Sequence, residues 1–460
     1  MINTLYLPEL REMLAADDVV GLQEFCTALH PGRTAEFMEG LSAGESWAVL
    51  LATDLTTRAE IFGFLPEEVQ TEIVEISDPQ QISELIAEMP PDDRVDLLNQ
   101  VDPAVVEVTL PLVPTEERRD ILRLRAYPEG TAGAVMTTEV AKLPETMTVH
   151  KALEELSRQA EDLETIYYIY IVDEENHLRG VVGARQLVKN LGRPQTPLSD
   201  LMEHSLVTVE ATDDQEHVAE KVADFDFMAI PVVDEEQHLV GIITHDDVMD
   251  VFREEAEEDA YRAAAVAPLE DSYLQTSILA LAWKRGIWLV ILFAAALLTT
   301  VALSEYEQVI ERVPWLVFFI PLIMSSGGNS GGQSATLIIR ALSNKDVTLG
   351  DTKAIVKREL VTGLMLGGGL ALIGYAVSYL PVFSIEATPY ELLVVPITLL
   401  VIVVFGTLCG AGLPLLFRRL GVDEALMSTP FVTVLIDIGG IIIYMTVAVW
   451  MITELQNVVG

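Results

Sequence analysis

Thr429-Pro-Phe-Val-Thr-Val-Leu-Ile-Asp437-Ile-Gly-Gly-Ile-Ile-Ile-Tyr-Met-Thr-Val-Ala-Val-Trp450 decides how the rest of the chain is read. A helix needs about 20 mostly apolar residues to cross a bilayer, and this stretch supplies them. Asp437 interrupts it near the middle. A charge at that depth costs roughly 2.5–3.5 kcal/mol even on the mildest scale, so the carboxylate needs a reason to be there.

Working back from this stretch, five spans are expected, at 287–303, 315–339, 360–380, 392–416 and 430–451. Asp437 is the only ionisable side chain inside any of them. Lys284 and Arg285 precede the first span, and Glu305, Glu307 and Glu311 follow it. Arg340, Lys345, Lys353, Lys357 and Arg358 fill the next connection, 381–391 has no Lys or Arg, and Arg418 and Arg419 precede the last span. By the positive-inside rule this alternation places everything before the spans in the cytoplasm. The beginning of the chain has no basic segment followed by an apolar one, so no signal peptide is expected.

Charge divides the chain the same way. The total is -42, yet residues 276–460 carry 10 basic and 12 acidic groups, leaving 18 basic against 58 acidic before them. That half has a net charge of -40, which repels nucleic acid and attracts cations. Cys26 and Cys409 fall in different halves, so neither a disulfide nor a cysteine zinc site is expected.

Within 1–130, Leu65-Pro-Glu-Glu-Val, Pro90-Pro-Asp-Asp-Arg-Val and Val113-Pro-Thr-Glu-Glu-Arg each place proline and acids ahead of apolar residues at helical spacing. Proline and carboxylates suit the first turn of a helix. Prolines at 66, 91 and 114 give a period in the twenties, as in an α-helical solenoid. Asp92, Asp93 and Asp96 form the densest acidic group there, a candidate metal site.

Residues 131–253 contain one α/β pattern twice. Tyr167-Tyr-Ile-Tyr-Ile-Val-Asp-Glu-Glu-Asn-His-Leu-Arg-Gly180 matches Met228-Ala-Ile-Pro-Val-Val-Asp-Glu-Glu-Gln-His-Leu-Val-Gly241, two strands around a hairpin turn. Helices are expected near 150–160 and 215–225. The duplication resembles a tandem pair of CBS domains, which implies a regulatory module that pairs in a dimer and often binds an adenine nucleotide. ATP is a candidate regulatory ligand, with Tyr170, Arg185 and Phe227 as candidate contacts. The second repeat ends Thr244-His-Asp246-Asp247, whereas the first ends Gly183-Ala-Arg185-Gln186, with Gln where a ribose-binding acid is expected.

From Thr244 onward no Gly or Pro interrupts a long acidic run, read as one connecting helix with 254–275 as its own segment. Asp247, Asp250 and Glu254 share one face, and Glu255, Glu258 and Asp259 another. Like charges so placed destabilise a helix. Divalent cations held with Asp246, or shared with Asp213, Asp214, Asp224 or Asp226, are the candidate that offsets that repulsion, and a solvated face is the alternative.

The second span carries Gly327-Gly-Asn329-Ser-Gly-Gly-Gln333. Glycines let helices approach closely or turn backbone carbonyls toward a cavity. Ser330 among them would need a base to act as a nucleophile. The histidines, at 30, 150, 177, 204, 217, 238 and 245, all precede the spans, so none is available and no enzyme is expected.

Taken in order, a helical acidic domain, tandem CBS modules (131–253), an acidic connecting helix and a five-helix transmembrane domain (276–460) resemble the MgtE family of bacterial magnesium channels. The two glycine-bearing motifs, around Asn329 and from Pro430 to Gly440, carry the match. The resemblance implies a homodimer in the inner membrane with a pore on its two-fold axis, lined by the second and fifth spans. It implies that Asp437 is the pore carboxylate, and that the connecting helix plugs the inner mouth when cytoplasmic Mg²⁺ is high. Two Asp437 side chains then hold a hydrated Mg²⁺ through its waters, with carbonyls near Val422 and Gly440 completing the site. Asn329, Gln333 and Thr429 are further pore candidates. A proton- or Na⁺-coupled carrier and a non-conducting metal sensor are the competing readings.

Overall fold

The computed structural model describes residues 5–160, 163–269, 273–274, 276–380, 387–421 and 429–452. They form two units, Met1–Arg253 and Glu254–Gly460.

The first unit opens with ten helices: α1 (Leu7–Ala16), α2 (Val19–Ala28), α3 (Pro31–Met38), α4 (Ala43–Leu50), α5 (Leu55–Gly63), α6 (Glu67–Ile76), α7 (Pro79–Glu88), α8 (Pro91–Gln100), α9 (Pro103–Thr109) and α10 (Thr115–Leu124). Their N-caps are Tyr6, Asp18, His30, Ser42, Asp54, Pro66, Asp78, Pro90, Asp102 and Pro114, one every 12 residues. Two capping solutions alternate in the later part. Asp54, Asp78 and Asp102 accept from Thr57, Gln80 and Ala104 N–H at 3.0, 2.9 and 2.8 Å. Pro66, Pro90 and Pro114 instead precede paired acids that face the helix dipole. The proline period therefore runs 66, 90, 114, with Pro90 rather than Pro91 as the equivalent residue.

Each helix packs on the next but one. α3, α5, α7 and α9 form one row and α4, α6, α8 and α10 the other. The expected solenoid is thus a two-row stack of 24-residue helix pairs, closed around Leu50, Phe62, Ile73, Leu85 and Leu98.

Two equivalent α/β repeats follow. The first has β1 (Val140–Pro144), α11 (Val149–Gln159), β2 (Thr165–Val172), β3 (Leu178–Gly183) and α12 (Ala184–Lys189). The second has β4 (Val209–Glu210), α13 (Gln215–Phe225), β5 (Ala229–Val233), β6 (Leu239–Thr244) and α14 (His245–Ala263). In both, the central strand pairs parallel with the first and antiparallel with the third. α14 starts at His245, as the uninterrupted run from Thr244 predicts, but stops at Ala263, short of 275. Its end is closed by Ala265 N–H to Arg262 O (2.9 Å) and Val266 N–H to Tyr261 O (3.0 Å), with Ala265 left-handed at φ 56°. Pro268, which lacks an N–H and disfavours helix before it, prevents resumption.

The second unit contains α15 (Ile278–Ser304), α16 (Glu307–Arg312), α17 (Leu316–Ser343), α18 (Thr352–Ser378), α19 (Val394–Arg419) and α20 (Thr429–Met451). α15, α18, α19 and α20 are long and apolar enough to cross a membrane. α17, the expected second span, is as long at 28 residues, but glycine and polar residues break its apolar run. α19 packs on α17, α18 and α20, and α17 also lies on α20. The glycines set this spacing. A Cβ on Gly410 of α19 meets the Gly331 carbonyl of α17 at 2.1 Å, and one on Gly406 meets the Gly327 carbonyl at 2.6 Å. Gly410→Ala is therefore expected to destabilise the helical unit by about 1–3 kcal/mol, whereas Gly412→Ala, with nothing within 4 Å of its Cβ, leaves it unchanged. Thermal unfolding in detergent separates the two; equal melting would refute backbone contact as the constraint.

Candidate functional site

Two places concentrate unanswered negative charge, one in each unit. In the second unit, α20 and α17 run antiparallel with a fixed register. Thr433 Cγ2 covers Gly328 and Thr429 Cγ2 covers Gly332. One further turn along this ladder brings Asp437 level with Met324 and Ser325. Asp437 is half-buried, and its Oδ1 is shielded from solvent with no hydrogen-bond partner. Beside it, Ser325, Asn329 and Gln333 project from α17 at four-residue spacing, all exposed, with Asn329 Nδ2 donating to Ser325 Oγ at 3.2 Å. With exposed Thr429 and half-buried Thr433 they make a polar strip on an otherwise apolar bundle. Ser325 and Thr433 are not evident from sequence, although each lies one helical turn from a residue that is. Gly440 is buried against Ile402 and Met324, and Val422 lies outside the described residues.

Glu359 sits one residue before the expected third span, in the N-terminal part of α18 with Lys353, Lys357 and Arg358. Ser334 Oγ lies 2.5 Å from Glu359 Oε2 and 3.0 Å from the Thr407 carbonyl oxygen. One hydroxyl thus ties α17 to both α18 and α19.

In the first unit the acids meet where α8 and the start of α14 share charge. Asp92 and Asp93 occupy the first turn of α8, as Glu67 and Glu68 do in α6, so the solenoid explains their position. It does not explain their surroundings. Asp92 Oδ1 is shielded and unpaired. Burial, then Asp247, Asp93 and Glu164, hold the Asp92 carboxyl well above the ordinary range. Crowding by protein, then Asp247, Asp246 and Asp250, push Asp93 up to about 6, although its side chain is exposed to water. Burial, then Asp247, Asp246, Glu139 and Asp93, push Glu164 up to about 7. Glu164 was not foreseen, because it lies far away in sequence and immediately before β2.

Asp247 is raised by burial, against the lowering effect of Thr244, whose N–H it accepts at 3.0 Å; Asp246 and Asp250 raise it further. Thr244 Oγ lies 2.5 Å from Asp246 Oδ1 and 2.6 Å from Asp247 Oδ2. Arg94, bonded to the Ala87 carbonyl at 3.0 Å and to Glu139 at 3.4 Å, lowers Asp93.

The other candidates have local tasks or stand apart. Asp214 caps α13 through Glu216 N–H at 3.0 Å, and Asp213 pairs with Lys221 at 3.6 Å. Asp226 takes the left-handed position that ends α13, beyond Asp224. Asp250 pairs with Arg253 at 2.9 Å. Asp96 is exposed one turn beyond Asp92. Glu254, Glu255, Glu258 and Asp259 belong to the part of α14 in the second unit, where Glu258 pairs with Arg262.

Family models match three parts of the chain: the MgtE intracellular N domain at 29–130, the CBS domain at 132–193 and 198–254, and MgtE, described as a divalent cation transporter, at 320–447. The magnesium transporter MgtE of Thermus thermophilus is 44% identical over 325 residues, 71% of each chain. The chain belongs to the MgtE family. The magnesium transporter MgtE of Enterococcus faecalis is 36% identical over 328 residues, 71% of this chain and 70% of its own. Among solved structures, the soluble part of a magnesium transporter is similar with a TM-score of 0.51 at 35% identity, over 54% of this chain and 97% of its own. The cytosolic domain of the Mg²⁺ channel MgtE in complex with ATP gives 0.50 at 38% identity, over 53% and 98%.

In this MgtE-family chain the candidate nucleotide residues differ in access. Tyr170 is fully buried with an unpaired hydroxyl, Phe227 stacks on Phe225 at 5.5 Å, and Arg185 is exposed. Gln186 Oε1 accepts Gly183 N–H at 2.9 Å, the same helix cap that Asp247 makes to Thr244.

The raised carboxyls carry a pH signature. Their folded arrangement is fully favoured below the ordinary carboxylate range and loses stability as pH rises through about 6 for Asp93 and about 7 for Glu164. Without divalent cations, the protection of amides in α8 and the first turns of α14, taken relative to the intrinsic base-catalysed exchange rate, is expected to fall across that window. Mg²⁺ should restore it. Protection that stays constant with pH would contradict the cluster.

Proposed function

We propose that this chain forms a homodimeric channel for Mg²⁺ uptake in the bacterial inner membrane, closed by Mg²⁺ bound on its cytoplasmic side. The carrying observation is the shielded, unpartnered Asp437 Oδ1 in α20, one helical turn from Thr433 of the polar strip. An isolated buried charge is too costly to keep unless something compensates it. A second copy facing the strip encloses a polar path, and two Asp437 side chains then meet one hydrated cation. Mg²⁺ prefers octahedral oxygen ligands and sheds water reluctantly, so carboxylates and amides that hold its waters suit it. Asn329, Gln333 and Thr429 line this path, with carbonyls near Val422 and Gly440 contributing. The channel's role is transport rather than catalysis.

The gate uses the second concentration of charge. Asp92, Asp93, Asp246, Asp247, Asp250 and Glu164 repel one another when ionised, and Mg²⁺ offsets that repulsion. The ion therefore favours the arrangement in which they are close, as a population shift requires. The acids of α14 beyond Arg253 act with them as a plug. ATP, held in a solved relative of the soluble half, is proposed as a regulatory ligand of the CBS pair. The basic connections between spans support a cytoplasmic location for this half.

Asp437→Asn is expected to lower Mg²⁺ flux into proteoliposomes roughly a hundredfold or more, the effect of losing about 3 kcal/mol of ion stabilisation. Wild-type flux in that variant removes the pore assignment. Flux that requires a proton or Na⁺ gradient instead identifies a coupled carrier. Asp247→Asn with Asp93→Asn is expected to leave conduction intact and raise the Mg²⁺ needed for closure about tenfold, measured as current in planar bilayers.

A further inference from the structure

The two hairpin turns carry one pattern, Asp173-Glu-Glu175-Asn-His177 and Asp234-Glu-Glu236-Gln-His238, and the fold brings them together. His177 and His238 face each other across an antiparallel bridge. Leu178 N–H donates to Gln237 O and Leu239 N–H to Asn176 O, both at 3.1 Å. The imidazoles stack with centroids 4.5 Å apart and 19° between planes. In each turn the aspartate lies against the histidine Nδ1, at 3.1 Å for Asp173 Oδ2 and 2.9 Å for Asp234 Oδ2.

The turns differ in one respect. Arg179 donates to Asp173 Oδ2 through Nε at 2.9 Å and a terminal nitrogen at 2.6 Å. Val240 occupies the corresponding place after the second turn. Asp234 therefore has backbone N–H donors, Glu236 at 3.1 Å and His238 at 2.8 Å, and the imidazole, with no arginine among its described partners. Ligand atoms of Asp234, Glu236 and His238 lie within 4.8 Å of one another.

We propose that Asp234, Glu236 and His238 bind a divalent transition metal of the Ni²⁺, Co²⁺ or Zn²⁺ type. An imidazole and carboxylate bound at right angles by bonds of roughly 2.1 Å are separated by about 3 Å. His238 Nδ1 lies 2.9 and 3.2 Å from the two Asp234 oxygens, so the metal replaces the shared proton with little movement. A nitrogen donor selects borderline metals over Mg²⁺, which prefers oxygen. Exposed Glu236 supplies the third ligand from the rim, and the stacked His177 ring fixes the orientation of His238. Arg179 disfavours the same site in the first turn. The site is chemically separate from the all-carboxylate cluster at Asp92 and Asp247.

The test is Ni²⁺ titration calorimetry on the full-length, tag-free protein in detergent, with saturating Mg²⁺ to occupy carboxylate sites. The expected result is one Ni²⁺ per chain, with affinity reduced about tenfold or more in His238→Gln. Glu236→Gln alters an exposed side chain, leaves folding intact and must also weaken binding. Absence of Ni²⁺ binding under Mg²⁺, or unchanged affinity in either variant, overturns the site. Binding is read directly, so the outcome does not depend on whether the channel conducts.

Discussion

A carboxylate among apolar helices needs compensation, and the second unit of this protein provides none for Asp437 Oδ1 among the described residues. The surrounding packing depends on that constraint. α17 is pressed onto α19 through paired glycines until backbone meets backbone, and onto α20 through threonine methyls over glycines. Both contacts use glycine faces of α17, which leaves Ser325, Asn329 and Gln333 on the exposed face. The glycine motif is therefore packing material, and its packing presents the polar strip beside Asp437. In the proposed channel, compensation comes from outside the chain, as a cation and a second copy.

The first unit applies the same physics in water-accessible form. The 12-residue capping rhythm places carboxylates in the first turn of every second helix from α6 onward, where they stabilise free N–H groups at little cost. At α6 the pair stays exposed. At α8 the same helical position falls against Asp247, Asp246 and Glu164, and a structural device becomes a charge problem. Protons relieve it at low pH, and the proposed gate assigns that task at neutral pH to Mg²⁺.

Local chemistry made much of this legible from sequence. Asp437 stood out by hydropathy, the CBS repeats by duplication, and the solenoid by proline and acid spacing. The true repeat was hidden because only three of its ten caps are Pro, the others being Asp, Ser, His or Tyr, and cap type is not visible until the backbone is placed. Glu164 was hidden for a different reason, since only tertiary packing brings it to residues 92 and 247. The connecting helix was drawn too long because alanines favour helix, while the left-handed turn at Ala265 and Pro268 end it.

The two CBS repeats share strands, turns and caps, so the positions at which they differ are informative. Gln186 and Asp247 make the same cap, to Gly183 and Thr244, but only Asp247 brings a charge to α8. Arg179 answers Asp173, whereas Val240 leaves Asp234 to its histidine. Neither difference disturbs the fold, since a cap needs only an acceptor and an exposed edge tolerates either side chain. Both remove positive compensation or add negative charge in the second repeat. That repeat also runs directly into α14, so the half of the module with the less compensated acids is the half joined to the connecting helix.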